Sequence, residues 1–223
     1  MPTTLAFDVY GTLIDTHGVV EALQELVGDQ AMAFSQTWRD KQLEYSFRRG
    51  LMQNYETFAV CTAQALDYSC DFYKAALTKS QKDELLAIYR VLPAFDDVEE
   101  GLLRLKANGF RLFAFSNGAV DALESLMKAA RIRAMFIDLV SVDPLKSFKP
   151  NPAVYAYFLR QAHAGGDNAW MVSSNPFDVI GAISAGMRAA WVKRSPDAVF
   201  DPWGIKPTMI VSSLIELNDQ LTK

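Results

Sequence analysis

A chain of 223 residues is long enough to bury one substantial hydrophobic core with a small inserted lobe, and too long for a minimal binding module. Half of its residues are apolar and 22% are charged, the balance of a folded domain and not of a disordered one. A net charge of -4, with no basic run longer than Arg48-Arg49, argues against nucleic acid as a partner, and no stretch approaches the ~18 uninterrupted apolar residues of a membrane-spanning helix.

The amino terminus shows no export signal and runs directly into a strand-like segment, Leu5 to Val9. From Asp15 to Pro93 the chain holds no convincing strand and carries helical stripes such as Leu43, Phe47 and Leu51, so residues 15–93 are expected to form a helical insertion after the first strand. Cys61 and Cys70 fall inside it; two cysteines are too few for a disulfide framework or a zinc site, and free thiols fit a reducing cytoplasm. The cluster Leu92 to Asp97 supplies a helix breaker and a cap, and the return to the sheet is placed there.

Strand-sized apolar runs follow at Phe110 to Phe115, Ile137 to Val142, Ala169 to Val172, Ala189 to Val192 and Met209 to Val211. Between them lie helically spaced apolar positions: Val98, Leu102 and Leu105; Val120, Leu123 and Met127; Ile180, Ile183 and Met187. The alternation predicts an α/β fold, a Rossmann-like doubly wound parallel sheet built from residues 1–14 and 94–223, with ligands at the carboxyl ends of the strands.

Four polar stations stand where such strands should end. Phe7-Asp8-Val9-Tyr10-Gly11-Thr12-Leu13 puts an acid at the end of the first strand and a glycine where the backbone must turn; a lone aspartate there more commonly closes the strand or caps the turn than catalyses. Ser116-Asn117-Gly118 precedes a helix, whose first N–H groups and the Ser116 hydroxyl form an anion site, or a simple cap. Lys149 sits before Pro150 and Pro152, the second of which can open a helix. Ser173-Ser174-Asn175-Pro176-Phe177-Asp178 follows the strand ending at Val172.

These stations, in this order, resemble the haloacid dehalogenase superfamily, and in detail its L-2-haloacid dehalogenase branch. Tyr155 after Lys149-Pro150, and the segment Trp38-Arg39 with Lys41-Gln42-Leu43-Glu44-Tyr45, are similar to that branch as well. Tyr10 stands where superfamily phosphatases carry a second aspartate that protonates a departing alkoxide. Halide leaves without a proton, so a halide-releasing enzyme has no use for that acid. With Asp8 and Asp178 as the only carboxylates at these stations, a magnesium site is not expected, and no cofactor is implied.

What the resemblance implies is a hydrolase that turns short L-2-haloalkanoic acids into D-2-hydroxy acids and halide. Asp8 attacks C2 with inversion, and water then cleaves the ester at the Asp8 side chain. Lys149 steadies the Asp8 carboxylate, while Thr12 and Ser173 fix the geometry of the pair. Ser116 takes the substrate carboxylate, and Arg39, reaching down from the helical cap, takes the substrate or the halide with Asn117. Asp178 with Asn175 positions or activates water, and Tyr155 supports them from behind. Tyr10, Leu43, Phe58 and Phe177 form an apolar wall, although ordinary core packing explains Leu43 and Phe58 equally well. Phe177 stands where relatives can have Trp, and Pro176 stiffens that loop. A homodimer joined through cap helices is also implied. The rival readings are a magnesium-dependent phosphatase or phosphonatase, a non-catalytic binding protein on the same fold, and a relative that opens a strained ring with the same nucleophile.

Overall fold

The computed structural model describes residues 2–223. Six strands form one sheet: β1 (Thr4–Phe7), β2 (Arg111–Ser116), β3 (Asp138–Ser141), β4 (Ala169–Ser173), β5 (Arg188–Val192) and β6 (Met209–Val211). Their order is β3-β2-β1-β4-β5-β6 and every pairing is parallel. Each strand lies within a residue or two of its apolar run. The strands carry almost unbroken apolar stretches because both faces of the sheet are covered. Leu5 and Phe7 of β1 enter one core with Leu112, Ala114 and Val172, while Ala6 enters the other with Phe113, Phe115 and Met171. This period of two, repeated along each strand, separates the two helical layers.

Helices α1 (His17–Val27), α2 (Ala31–Met52), α3 (Phe58–Tyr73) and α4 (Lys79–Ile88) follow β1 in succession, with no strand among them. The chain leaves and re-enters the sheet region along paired backbone: Ile14 bridges Ala94 antiparallel, Asp15 N donates to Pro93 O at 2.9 Å, and Phe95 N donates to Leu13 O at 3.0 Å. The stripe expected on α2 is corrected by the structure. Its buried face is Ala31, Phe34, Trp38, Gln42 and Ser46, whereas Leu51 is 86% exposed and Leu43 and Phe47 are only half-buried, turned toward the carboxyl ends of the strands. A polar residue at two of five buried positions hid the true stripe.

The remaining helices are α5 (Val98–Ala107), α6 (Val120–Ala129), α7 (Pro152–Gln161), α8 (Pro176–Ser184) and α9 (Leu214–Leu221). Val98, Leu102 and Leu105 are buried on α5 as their spacing requires, but Val120 is exposed, and Met187 lies beyond α8, past the left-handed Gly186. Asp97 stands at the cap position of α5 without capping it, because its carboxylate accepts from Arg194 Nη1 at 2.6 Å and from Leu214 N at 2.6 Å.

Strand order reverses beside β1: the chain passes from β1 outward to β2 and β3, then jumps across to β4. That reversal opens a crevice at the carboxyl ends of β1 and β4, where α/β sheets bind ligands. Helix α8, which follows β4, is pressed so close to α7 that a Cβ on Gly181 would lie 2.5 Å from the Tyr155 hydroxyl and 2.7 Å from Pro150 Cβ. Alanine gains about 1 kcal/mol of helix propensity over glycine. Overpacking against two neighbours that cannot yield costs more, about 1–3 kcal/mol. Gly181→Ala is therefore expected to lower Tm by a few degrees in a thermal melt; an unchanged or higher Tm contradicts the close approach of α7 and α8.

Candidate active site

Asp8 is the first residue past β1, and its N–H continues the sheet ladder by donating to Val172 O at 2.9 Å. The chain then coils about one carbonyl: Val9 O accepts from Thr12 N at 3.3 Å, Leu13 N at 2.9 Å and Ile14 N at 3.0 Å. Gly11, at φ +79°, supplies the left-handed step that this coil requires. The turn brings Thr12 Oγ1 back to Asp8 Oδ2 at 3.0 Å, and Asn175 Nδ2 donates to the same oxygen at 2.8 Å.

The other carboxylate oxygen, Oδ1, faces Lys149 Nζ at 3.2 Å. Lys149 is only 1% exposed, and its three protons have three acceptors: Asp8 Oδ1, Asp178 Oδ2 at 2.8 Å and Phe115 O at 2.8 Å. Its backbone is fixed as well, since Lys149 N donates to Asn117 Oδ1 at 3.0 Å, and α7 begins just beyond at Pro152 with Asn151 as its cap. Asp178 is 0% exposed, with Oδ1 accepting from the Tyr155 hydroxyl at 2.9 Å. Burial pushes the Asp178 carboxyl up to about 6, against the pull of the Lys149 ammonium and with a smaller push from the Asp8 charge.

Beside Asp8 is a small cavity of about 20 Å³, room for about one water. Asp8, Lys149, Asn175, Ser116 and Asn117 form its floor and sides. Tyr10, Leu43, Phe58 and Phe177 supply the apolar wall, and Arg39 comes in from α2. Burial pushes the Tyr10 phenol up to about 12, which makes it a poor proton donor. Arg39 is half-buried and is held by Gln42 Oε1 at 2.6 Å, while Gln42 Nε2 donates to Thr62 Oγ1 at 2.5 Å on α3. Phe177 meets Phe47 of α2 edge to face, with ring centroids 5.0 Å apart.

Ten of the fourteen residues singled out in the sequence line this cavity. Thr12, Ser173, Tyr155 and Asp178 stand behind it, buried. Three expectations are corrected in detail. Ser116 is no helix cap: it ends β2, α6 starts at Val120, and Ser116 Oγ accepts from Gly118 N at 3.2 Å. The Ser173 hydroxyl accepts from Asn175 N at 3.1 Å and so acts on Asp8 through Asn175, and it is Ser174 N that donates to Thr12 Oγ1, at 2.9 Å. Asp178, expected to handle water, is enclosed behind Lys149 with both oxygens engaged, and Asn175 alone of that pair reaches the cavity.

Two residues were missed. Gln42 has no role in the sequence reading, because its burial on α2 does not follow from the Leu43, Phe47 and Leu51 stripe. Arg194 follows the apolar run of β5 and resembles any basic residue at a strand end. It donates to Thr12 O through Nε at 3.1 Å and Nη2 at 2.6 Å, bonds Asp97, and lies 4.3 Å from the Phe95 ring centre, so it ties the nucleophile turn to the returning chain. Among the described residues, no group of three or more His, Cys, Asp or Glu side chains is arranged to hold a metal ion, and no helix is long and apolar enough to cross a membrane.

The sequence matches the profile of the haloacid dehalogenase-like hydrolases over residues 2–186. It is 35% identical over 217 residues to an (S)-2-haloacid dehalogenase of Pseudomonas putida, covering 97% of this chain and 95% of that one. It is 35% identical over 207 residues to haloacetate dehalogenase H-2 of Moraxella sp. (strain B), covering 93% and 92%. Its fold superimposes with a TM-score of 0.92 on the L-2-haloacid dehalogenase of Xanthobacter autotrophicus with chloropropionic acid covalently bound, at 28% identity over 100% of this chain and 99% of that one.

The Tyr155 hydroxyl stabilises the ionised form of Asp178 and so opposes the upward push of burial. In Tyr155→Phe the Asp178 carboxyl is expected to titrate higher than in wild type, as read by carbon-13 NMR of aspartate-labelled protein. A titration that stays put or moves down contradicts the hydrogen bond.

Proposed function

The chain belongs to the haloacid dehalogenase-like hydrolase family, and on that premise we propose that it hydrolyses short L-2-haloalkanoic acids to D-2-hydroxy acids and halide through an ester on Asp8. The observation that carries this reading is the surroundings of Asp8: a small cavity with one apolar wall, an ammonium at 3.2 Å, and a tyrosine at position 10 that is a poor acid. Such a site suits the departure of a weakly basic anion and not of an alkoxide.

The reaction starts at Asp8 Oδ1. Oδ2 is held by two donors at 3.0 and 2.8 Å, whereas Oδ1 has one at 3.2 Å, so attack through Oδ1 disturbs the least hydrogen bonding. Its lone pair forms the bond to C2 as the carbon–halogen bond breaks, and the halide leaves from the opposite face with the electron pair of the broken bond. Ser116 and Asn117 hold the substrate carboxylate. Arg39, kept in place by Gln42, takes the departing halide, for which a guanidinium offers several donors to a diffuse charge. The apolar wall of Tyr10, Leu43, Phe58 and Phe177 keeps bulk water from the nucleophile, and losing water strengthens every charge interaction inside.

Once the ester forms, Asp8 carries no charge and the buried Lys149 ammonium has Asp178 as its remaining counter-ion. This gives Asp178 a task that fits its enclosure: it compensates Lys149 through both steps. Asn175, facing the cavity beside Asp8, positions the water that attacks the ester carbonyl carbon; one water proton goes to the released hydroxyl and the other to solvent. Thr12 fixes Oδ2, Ser173 fixes the backbone of Asn175, and Tyr155 fixes Asp178.

Residues 15–93 act in this reading as the cap that closes over the sheet. A homodimer joined through the cap helices belongs to the same reading, and Leu51 with Met52 at the end of α2 is apolar surface that such pairing covers. Free buried Cys61 and Cys70 support work in a reducing cytoplasm.

Halide release from L-2-chloropropionate is expected, with none from the D-isomer and no loss in excess EDTA. Asp8→Asn is expected to lower the rate by at least roughly ten-thousand-fold, the scale of removing a nucleophile. In a single turnover in oxygen-18 water the label is expected on Asp8 and not in the product; label that enters the product directly, or turnover that persists in Asp8→Asn without deamidation, overturns the reading.

A further inference from the structure

Beside the catalytic cavity is a second and much larger space, about 260 Å³ against about 20 Å³. Tyr10 and Phe58 belong to the walls of both, so these two rings form the partition. The second chamber lies between α3 and the end of α4 on one side and the start of α6 on the other. Beyond the partition Leu86, Tyr89, Ala119 and Ala122 make its lining largely apolar, with Gln42, Thr57, Thr62 and Arg90 as the polar part of the wall. Nothing in the reaction as proposed above uses it.

We propose that this chamber seats the aliphatic chain carried at C2 of the substrate, so that the enzyme accepts 2-haloacids well beyond three carbons. The inference rests on the proposed function and extends it to substrate class. A cavity with room for about one water holds the reacting atoms only if its wall yields, and it has no space for further methylenes. Three of its sides are fixed by the Asp8, Lys149 and Asn175 network. Of the two rings Phe58 is buried and packs against Phe148, whereas the Tyr10 side chain makes one long hydrogen bond, from its hydroxyl to Tyr89 O at 3.4 Å, and an edge contact with the Tyr89 ring, so Tyr10 is the half of the partition that yields. Beyond it the free volume is an order of magnitude larger and the lining is predominantly, though not wholly, apolar. With the carboxylate on Ser116 and Asn117, and C2 in line with Asp8, a chain passing between Tyr10 and Phe58 enters that volume. Ala119 and Ala122, small residues at the start of α6, leave the space that the chain fills. A chain there lies against the same rings that seal the nucleophile from water.

The test separates binding from turnover. Calorimetry of wild-type protein with acetate, butanoate and hexanoate is expected to show Kd falling roughly fourfold for each methylene that is buried, the effect of about 0.8 kcal/mol per CH2. In Ala122→Phe, and independently in Leu86→Trp, this length dependence is lost while acetate affinity stays within twofold. The ratio of kcat/KM for L-2-bromohexanoate to that for L-2-bromopropionate falls at least tenfold in both variants. Affinity that does not depend on chain length in wild type, or a length dependence that survives in both folded variants, overturns the chamber. A chain-length dependence that behaves as expected, with no halide released from any haloacid, overturns the catalytic reading instead and leaves an aliphatic carboxylate as the occupant.

Discussion

A single buried ammonium organises this molecule. Lys149 Nζ is almost wholly excluded from solvent, and a charge taken out of water at that depth is costly unless every proton finds an acceptor of the right sign. Each acceptor comes from a different part of the sheet: Asp8 from the end of β1, Phe115 O from β2, and Asp178 from α8 beyond β4. The ion pair with Asp8 spans 141 residues of sequence. Folding that satisfies the lysine therefore assembles the site in the same act. Moving any one of the three strand ends leaves a buried charge without its partner, which destabilises by more than the pair itself contributes.

The supports of this centre are themselves supported. Tyr155 holds Asp178 and is packed against Gly181; Ser174 holds Thr12; Arg194 holds the backbone of Thr12 and, through Asp97 and Phe95, the point where the chain returns from its helical excursion. On the opposite side Arg39 is steadied by Gln42 and Thr62, which belong to α2 and α3 and not to the sheet. The site is thus built from two bodies. The sheet side presents the nucleophile and its cation together with Tyr10 and Phe177, and the helical side brings the guanidinium with Leu43 and Phe58.

Much of this was legible in the sequence, for identifiable reasons. Fully covered parallel strands leave unbroken apolar runs, so all six are legible to within a residue or two, and polar residues that interrupt or closely follow such a run fall near a strand end. That is how Asp8, Ser116 and Asn175 were reached. What failed was whatever depends on which side of an element faces in. Gln42 and Ser46 on the buried side of α2 broke the hydrophobic pattern, so the visible stripe was the one facing the cleft. Neighbouring Ser173 and Ser174 exchange roles because adjacent residues leaving a strand point in opposite directions, a difference of one position that no motif resolves. Arg194 was invisible because its partners, Thr12 and Asp97, are distant in sequence and one of them offers only a backbone carbonyl.

The paired backbone where Ile14 meets Ala94 has a consequence for how the molecule can vary. Entry and exit of the excursion are clamped side by side, so the sheet experiences about 80 residues of helix as though they were a single tight turn. Ring closure depends only weakly on the number of residues enclosed, so the length of the excursion adds little to the closure entropy that the sheet must meet. The electrophile's neighbourhood can therefore be rewritten without touching the machinery that attacks it, a modularity set by two adjacent peptide groups.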